Sequence, residues 1–310
     1  MFRINNPNWI NKELLNVNSF DEYSTEFLTE LKERLRKVVS DKPEVTVCIA
    51  AWNEEVNIVR CLDSLSRSKS KTPFDILVVN NNSKDRTQEV LDLLEVQNVF
   101  QPIQGCGISR ELGQQTAKGE YVLLADADCL YPPLWVDVMM KYLNKPGVVV
   151  VYGKHSFLGD EIVPRWKFSF YELGKSVITE IRHIKRPYLN AYGMSMGYEK
   201  KYGLEEGFVT RNIRGEDGRM CLDLMKHGKI KMVRDGRSRV WTKERNFEKD
   251  GGLINSIEKR MWREAVRLSE YFKKPEPHDT KTSENNELTV DEYKSALKSK
   301  LGIKKSKSSK

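Results

Sequence analysis

Three stretches of this chain, residues 45–51, 74–79 and 121–125, are nearly continuous in Val, Ile, Leu and Ala, and each breaks off at a polar cluster. A short run that is apolar at both odd and even positions marks a strand covered on both faces, which is the habit of parallel sheets. Between the runs lie helical patterns: Ile58, Leu62 and Leu65, then Val90, Leu91 and Leu94, then residues 108–117. The strand–helix alternation predicts an α/β, Rossmann-like, mostly parallel sheet flanked by helices. In such sheets ligands bind outside the carboxyl ends of the strands. Three polar clusters fall at those ends: Trp52-Asn53-Glu54, Asn80-Asn81-Asn82-Ser83, and Asp126 with Asp128.

The acid pair is the most pointed of the three. If the strand stays extended through Asp128, the two carboxylates share a face. Two negative charges that close call for a cation between them, and hard divalent ions such as Mg²⁺ or Mn²⁺ suit oxygen ligands. An isolated Asp-x-Asp is equally at home as a pair of solvated turn residues, so its meaning rests on the rest of the chain.

Around this core the sequence divides into four parts. Residues 1–44 form an N-terminal helical brace, in which Ser19 and Glu22 have capping-box spacing and Tyr23, Phe27, Leu31, Leu35 and Val38 recur every three or four residues. Residues 45–250 form the α/β core domain. The stripe Ile254, Ile257, Met261, Ala265, Leu268 and Phe272 predicts a packing helix over 251–273, and 274–310 reads as a linker and lysine-rich tail. Past the acids, Pro132 and Pro133 open a helix and residues 147–152 form another strand. The segment 153–214 is rich in aromatic, Gly and basic residues with no clean period, which suits a substrate pocket better than an extension of the sheet.

The net charge of +8 is concentrated at one end, because the seven lysines from Lys294 to Lys310 account for all but one unit of it. A nearly neutral body argues against nucleic acid as a partner, and the tail admits a weak peripheral contact with anionic lipid. Five cysteines with no Cys-x-x-Cys spacing argue against a zinc knuckle or a disulfide framework. No run is long enough to span a bilayer and the N-terminus lacks a signal-peptide core, so the expectation is a cytoplasmic protein, at most at the inner face of a membrane.

Taken in order, the motifs resemble the family-two glycosyltransferases, inverting enzymes of the GT-A fold that use nucleotide-sugar donors. The resemblance covers residues 45–245 and rests on Ile49-Ala50-Ala51-Trp52-Asn53-Glu54-Glu55, Val78 to Thr87 with its Asn80-Asn81-Asn82-Ser83 core, Ser109-Arg110-Glu111-Leu112-Gly113, Asp126-Ala127-Asp128 and Gly215-Glu216-Asp217-Gly218. Five weak motifs in the right order are strong together. Ala50 stands where the family has Pro, and Asn80 and Asn81 where it has Asp in one or both places. An Asn carbonyl accepts the same hydrogen bond from a base as a carboxylate but brings a donor with it. The Gln-x-x-Arg-Trp signature and membrane helices of processive synthases are missing, which points to transfer of a single sugar.

The resemblance implies a role for each residue. Trp52, Glu54, Asn80, Asn81 and Arg110 would form the nucleotide pocket, with Asp126 reaching the ribose. Asp128, and less directly Asp126, would hold Mn²⁺ or Mg²⁺ at the diphosphate. Asp217 would be the general base that takes the proton of the acceptor hydroxyl, with Glu216 the competing candidate. His155, His183, His227 and His278 show no ligand spacing, and His227 reads as the last residue of a helix before Gly228. The implied function is metal-dependent inverting transfer of one sugar from a nucleoside-diphosphate sugar to a saccharide or lipid-linked acceptor, in surface polysaccharide synthesis. The rival is an inactive relative that only binds nucleotide or carbohydrate. A nucleotidyltransferase or a dinucleotide-dependent dehydrogenase would need a Gly-rich phosphate loop that residues 51–54 and 105–107 do not supply.

Overall fold

The computed structural model describes residues 4–161, 163–210 and 215–243, together with Trp262. The chain divides into two compact units, Met1–Lys243 and Glu244–Lys310. The expected packing helix, linker and lysine tail therefore lie outside the described residues, Trp262 apart.

The N-terminal brace differs from its sequence pattern in one respect. Ser19 and Glu22 do form a complete capping box, but it heads only a 3-10 turn, Phe20–Glu22. Tyr23 then turns extended, and Ser24 caps a second start by accepting from the Phe27 N–H at 3.1 Å. Helix α1 (Thr25–Val38) follows and buries Leu28, Leu31 and Leu35. Tyr23 is buried just ahead of the helix, where its hydroxyl donates to the Val56 carbonyl at 3.0 Å.

Strand β1 (Val45–Ala51), α2 (Asn57–Ser66), β2 (Phe74–Asn80), α3 (Thr87–Leu93), β3 (Asn98–Phe100), α4 (Cys106–Thr116) and β4 (Tyr121–Asp126) give the predicted alternation. Short β5 (Cys129–Leu130), α5 (Trp135–Leu143), β6 (Val148–Tyr152), β7 (His155–Phe157) and the 21-residue α6 (Arg165–Lys185) come next. Then come β8 (Met196–Glu199), α7 (Lys200–Glu206), α8 (Glu216–Leu224), β9 (Lys229–Met232) and β10 (Val240–Thr242).

Seven strands make the main sheet in the order β3-β2-β1-β4-β8-β6-β9, and β5-β10-β7 make a small second sheet. All neighbours in the large sheet run parallel except β8, which is antiparallel to both β4 and β6. That strand corrects the expectation that residues 153–214 stay out of the sheet. Gly197 sits opposite both Leu123 and Val151, and a Cβ there would collide with the Leu123 side chain. The glycine that weakens the strand signal is what lets β8 slot between bulkier neighbours.

Candidate active site

The site is assembled by register. Ala50 of β1 pairs with Asp126 of β4, and Ala51 with Asn80 of β2, so the three polar clusters stand level at the carboxyl edge. The loops after β1 and β2 are laced together. Asn53, at a left-handed φ of 53°, donates its N–H to Ser83 Oγ at 3.0 Å and accepts from the Lys84 N–H at 2.7 Å. The Glu54 N–H donates to Thr87 Oγ1 at 2.9 Å, while the Glu54 carboxylate accepts from Asn57 at 2.8 Å. Trp52 stands proud of this platform, 49% exposed.

Asn80 and Asn81 are buried beneath it, and their amide oxygens are engaged within the protein. Asn80 Oδ1 accepts from the Ser83 N–H at 3.0 Å, and its Nδ2 donates to Gln88 at 2.7 Å. Asn81 Oδ1 accepts from the N–H of Gly105, the residue before α4, at 2.9 Å. In this arrangement the two amides hold the loop after β2 and the start of α4. Asparagine does here what aspartate could not, since the Asn80 amide must also donate.

Four of the expected site residues converge on a single point. Arg110 projects from α4 into the protein and is 4% exposed. Its Nη2 donates to Asp126 Oδ1 at 3.2 Å and its Nη1 to Glu216 Oε1 at 2.7 Å and to Asp217 Oδ1. Glu216 and Asp217 lie in the first turn of α8, where the helix dipole favours acids. Asp217 Oδ2 accepts from the Gly193 N–H at 2.7 Å, and Glu216 Oε2 from the Gly215 N–H at 3.0 Å. Arg110, expected to face a nucleotide, is thus the counter-ion of three carboxylates drawn from β4 and α8.

The electrostatics follow from burial. Desolvation pushes the Asp126 carboxyl up to about 7 against the opposing pull of Arg110, with the neighbouring Asp128 and Asp217 raising it further. Burial raises Asp217 as well, again opposed by Arg110 and reinforced by Glu216. Two residues outside the sequence motifs support this cluster. Tyr131 Oη accepts from the Asp126 N–H at 2.8 Å and donates to the Met194 carbonyl at 3.1 Å, fixing the end of β4. Gly193 leaves room for the guanidinium, since a Cβ there would run into it. Neither carries a sequence signal, because their meaning lies in partners 5 to 83 positions away in the chain.

The second acid departs from the extended geometry expected of it. Strand β4 ends at Asp126, and Asp128 lies in the turn before β5. The turn still keeps the pair together: Asp126, Asp128 and Cys129 present ligand atoms that all lie within 4.8 Å of one another. The donor set fits a hard divalent cation through its two carboxylates. Cys129 is buried with its thiol pushed well above the usual range, and Sγ donates to Asp128 Oδ1 at 3.4 Å. The thiol proton steadies the Asp128 carboxylate, and a soft sulfur suits Mg²⁺ or Mn²⁺ less well than the two carboxylates do.

Histidine readings resolve simply. His227 lies past the end of α8, stacked on Tyr202 and bonded to Glu206 at 2.7 Å, so it does not close the helix as the sequence suggests. His155 and His183 stand with Lys175 and Tyr152 respectively.

Comparison with known proteins agrees with this geometry. The model of the family described as Glycosyl transferase family 2 matches residues 46–203. This chain belongs to that family. It is 30% identical to Glycosyltransferase AglE of Haloferax volcanii over 128 residues, which is 39% of this chain and 42% of that one. With the chondroitin synthase of Escherichia coli it shares 23% identity over 258 residues, 78% of this chain and 36% of the relative. The matches thus span less than half the length of these relatives. Among solved structures, the mannosyltransferase PcManGT from Pyrobaculum calidifontis, in complex with GDP-Man and Mn²⁺, superposes with a TM-score of 0.53 at 18% identity, over 80% of this chain and 70% of that one. That likeness establishes the GT-A fold.

Proposed function

We propose that the protein is a metal-dependent inverting glycosyltransferase that moves one sugar from a nucleoside-diphosphate sugar to a saccharide or lipid-linked acceptor at the cytoplasmic side of the cell. The observation that carries the reading is the convergence of Asp126, Glu216 and Asp217 on Arg110 at the carboxyl edge of the sheet, with Asp128 one turn away. A protein that only binds carbohydrate has no use for a buried, proton-ready carboxylate beside a metal-type acid pair.

Asp217 is the base in this reading. An inverting transfer needs one carboxylate on the face opposite the leaving group, to take the proton as the acceptor oxygen attacks the anomeric carbon. Burial raises the Asp217 affinity for that proton, while Arg110 and the Gly193 N–H hold it in one orientation. Arg110 keeps Asp126, Glu216 and Asp217 from repelling one another and so positions the base. Asp126 and Asp128 would hold Mn²⁺ or Mg²⁺, which when bound neutralises the leaving diphosphate as a Lewis acid. The metal choice is supported by PcManGT, which carries Mn²⁺ with GDP-Man. Trp52, Glu54, Asn80 and Asn81 would frame the nucleotide, Trp52 with its open ring and the asparagines by holding the loop. The chondroitin synthase relative supports a saccharide acceptor in surface polysaccharide synthesis.

The test is a pair of substitutions read in two assays. Asp217→Asn should bind nucleoside diphosphate as the parent does and lose about 10² to 10⁴ in transfer rate. Asp128→Ala should abolish the part of turnover that depends on added divalent ion. Transfer by Asp217→Asn at the parent rate would remove the base assignment.

A further inference from the structure

One surface of the first unit is not absorbed by the transfer reading. Along α6 the side chains Trp166, Leu173, Val177, Ile181 and Ile184 are between 48% and 79% exposed. Their spacing of seven, four, four and three residues puts them on one face, at 3.6 residues per turn. Phe170, 60% exposed, packs edge-on to Trp166 in the same stripe. The helix is apolar on its outer side while its inner side buries Phe168 and Ser169 and walls a small cleft with Glu172, Lys175 and Thr179.

What could cover such a face is limited by its size and its charge. A helix of 21 residues is about 32 Å long and offers a strip of roughly 300 Å². A stable pair of protein copies needs about 800 Å² from each. The helix carries five lysines and arginines against two acids. Arg165 is buried against Glu172 and Lys175 lines the inner cleft, so the basic residues toward the outer edges are Lys167, Arg182 and Lys185, while Glu180 is paired with Lys154 and Arg234. Lys167 lies over the Trp166 ring at 5.7 Å, at the margin of the stripe. Aromatic and aliphatic side chains on one face with basic ones along the edges make the pattern of a helix lying in a membrane surface. None of the described helices is long and apolar enough to cross a bilayer.

We propose that the outer face of α6 docks on the surface of a bilayer containing anionic headgroups. The placement has a use. The cleft walled by the inner face is also lined by Tyr152, Lys154, Tyr192 and Arg239, and the next residue, Gly193, donates to Asp217. A helix seated on lipid would hold the mouth of the reaction centre beside the membrane, where a lipid-linked acceptor resides. The docking itself does not depend on the transfer reading.

The test is flotation of the full chain with vesicles of phosphatidylcholine and phosphatidylglycerol, comparing the parent with L173E/I181E. Both positions are exposed, and an unchanged circular dichroism spectrum and thermal midpoint show that the variant is folded. The expected result is that the parent floats, its Trp166 emission shifts to the blue relative to a W166F control, and the double variant binds roughly tenfold or more weakly. Four results would overturn it. The first is a parent that does not float at all. The variant could float as well as the parent. Vesicle binding could vanish in high salt yet ignore L173E/I181E, which assigns it to charge elsewhere on the chain. Sedimentation could reveal a parent dimer that the variant loses, which assigns the face to a second copy. Nucleoside-diphosphate binding measured on the same samples separates failure here from failure of the transfer reading.

Discussion

Asp126 is where burial, repulsion and a cation meet, and the balance leaves its carboxyl at about 7 instead of the ordinary 3.8. A carboxyl whose affinity for its proton is raised by folding makes the folded state take up a proton that the unfolded chain gives away. Between about pH 4 and 7 the folded state therefore binds more protons, and stability falls as pH rises through that window. A shift of this size sets a ceiling of about 4 kcal/mol, which water reaching a partly exposed group will lower. Urea unfolding in chelator at pH 5 and pH 7.5 should show the parent losing stability toward the higher pH, with Asp126→Asn losing clearly less. Equal slopes would mean that Arg110 fully compensates the burial. At this scale the sequence picks out residues that the fold brings together and says little of what they touch. Asp126, Asp128, Arg110 and Asp217 were all visible as motif members. That Arg110 faces acids 16, 106 and 107 positions away is a property of packing α4 against β4 and α8, which no local pattern encodes.

At the scale of elements, the legible ones are those whose burial is complete. β1, β2, β4 and β6 are apolar on both faces and stand out from the sequence, whereas β3, β7, β8, β9 and β10 run only three or four residues each. Such strands owe their existence to neighbours that pair with them. α6 has no legible period for a different reason: its apolar residues lie on its outer face, mixed in sequence with the inner ones, so two stripes blur one another's period. Two glycines test this account. Gly197→Val should destabilise by about 1–3 kcal/mol, because a larger side chain in β8 meets Leu123 and Val151 in a packed sheet. Gly174→Ala should stabilise by about 0.5–1 kcal/mol, because it lies exposed within α6 with nothing within 4 Å of a new Cβ. Urea midpoints that moved the same way for both would contradict the packing described for one of the two elements.

For the molecule as a whole, the site is a joint between parts of the chain far apart in sequence. The β1 and β2 loops, β4 with its turn, the Tyr192–Gly193 segment and the start of α8 each hold one piece. A ligand that bridges them must stabilise the whole unit, since it binds only where all are in place. A nucleoside diphosphate at about 100 times its dissociation constant adds about 2.7 kcal/mol, and in a body of this size each kcal/mol moves the melting midpoint by about 2–4 °C. The expected shift is therefore about 5–10 °C for the matching nucleotide with Mn²⁺. UDP, GDP, CDP, dTDP and ADP, each with and without the ion, make the panel. The share of the shift that depends on Mn²⁺ should disappear in Asp128→Ala, while Asp217→Asn should retain it, because in the proposed function Asp217 meets the acceptor and not the diphosphate. Nucleotide binding that needs no ion and survives Asp128→Ala would leave the acid pair without a metal. The platform of Trp52, Glu54, Asn80 and Asn81 would then account for the affinity alone.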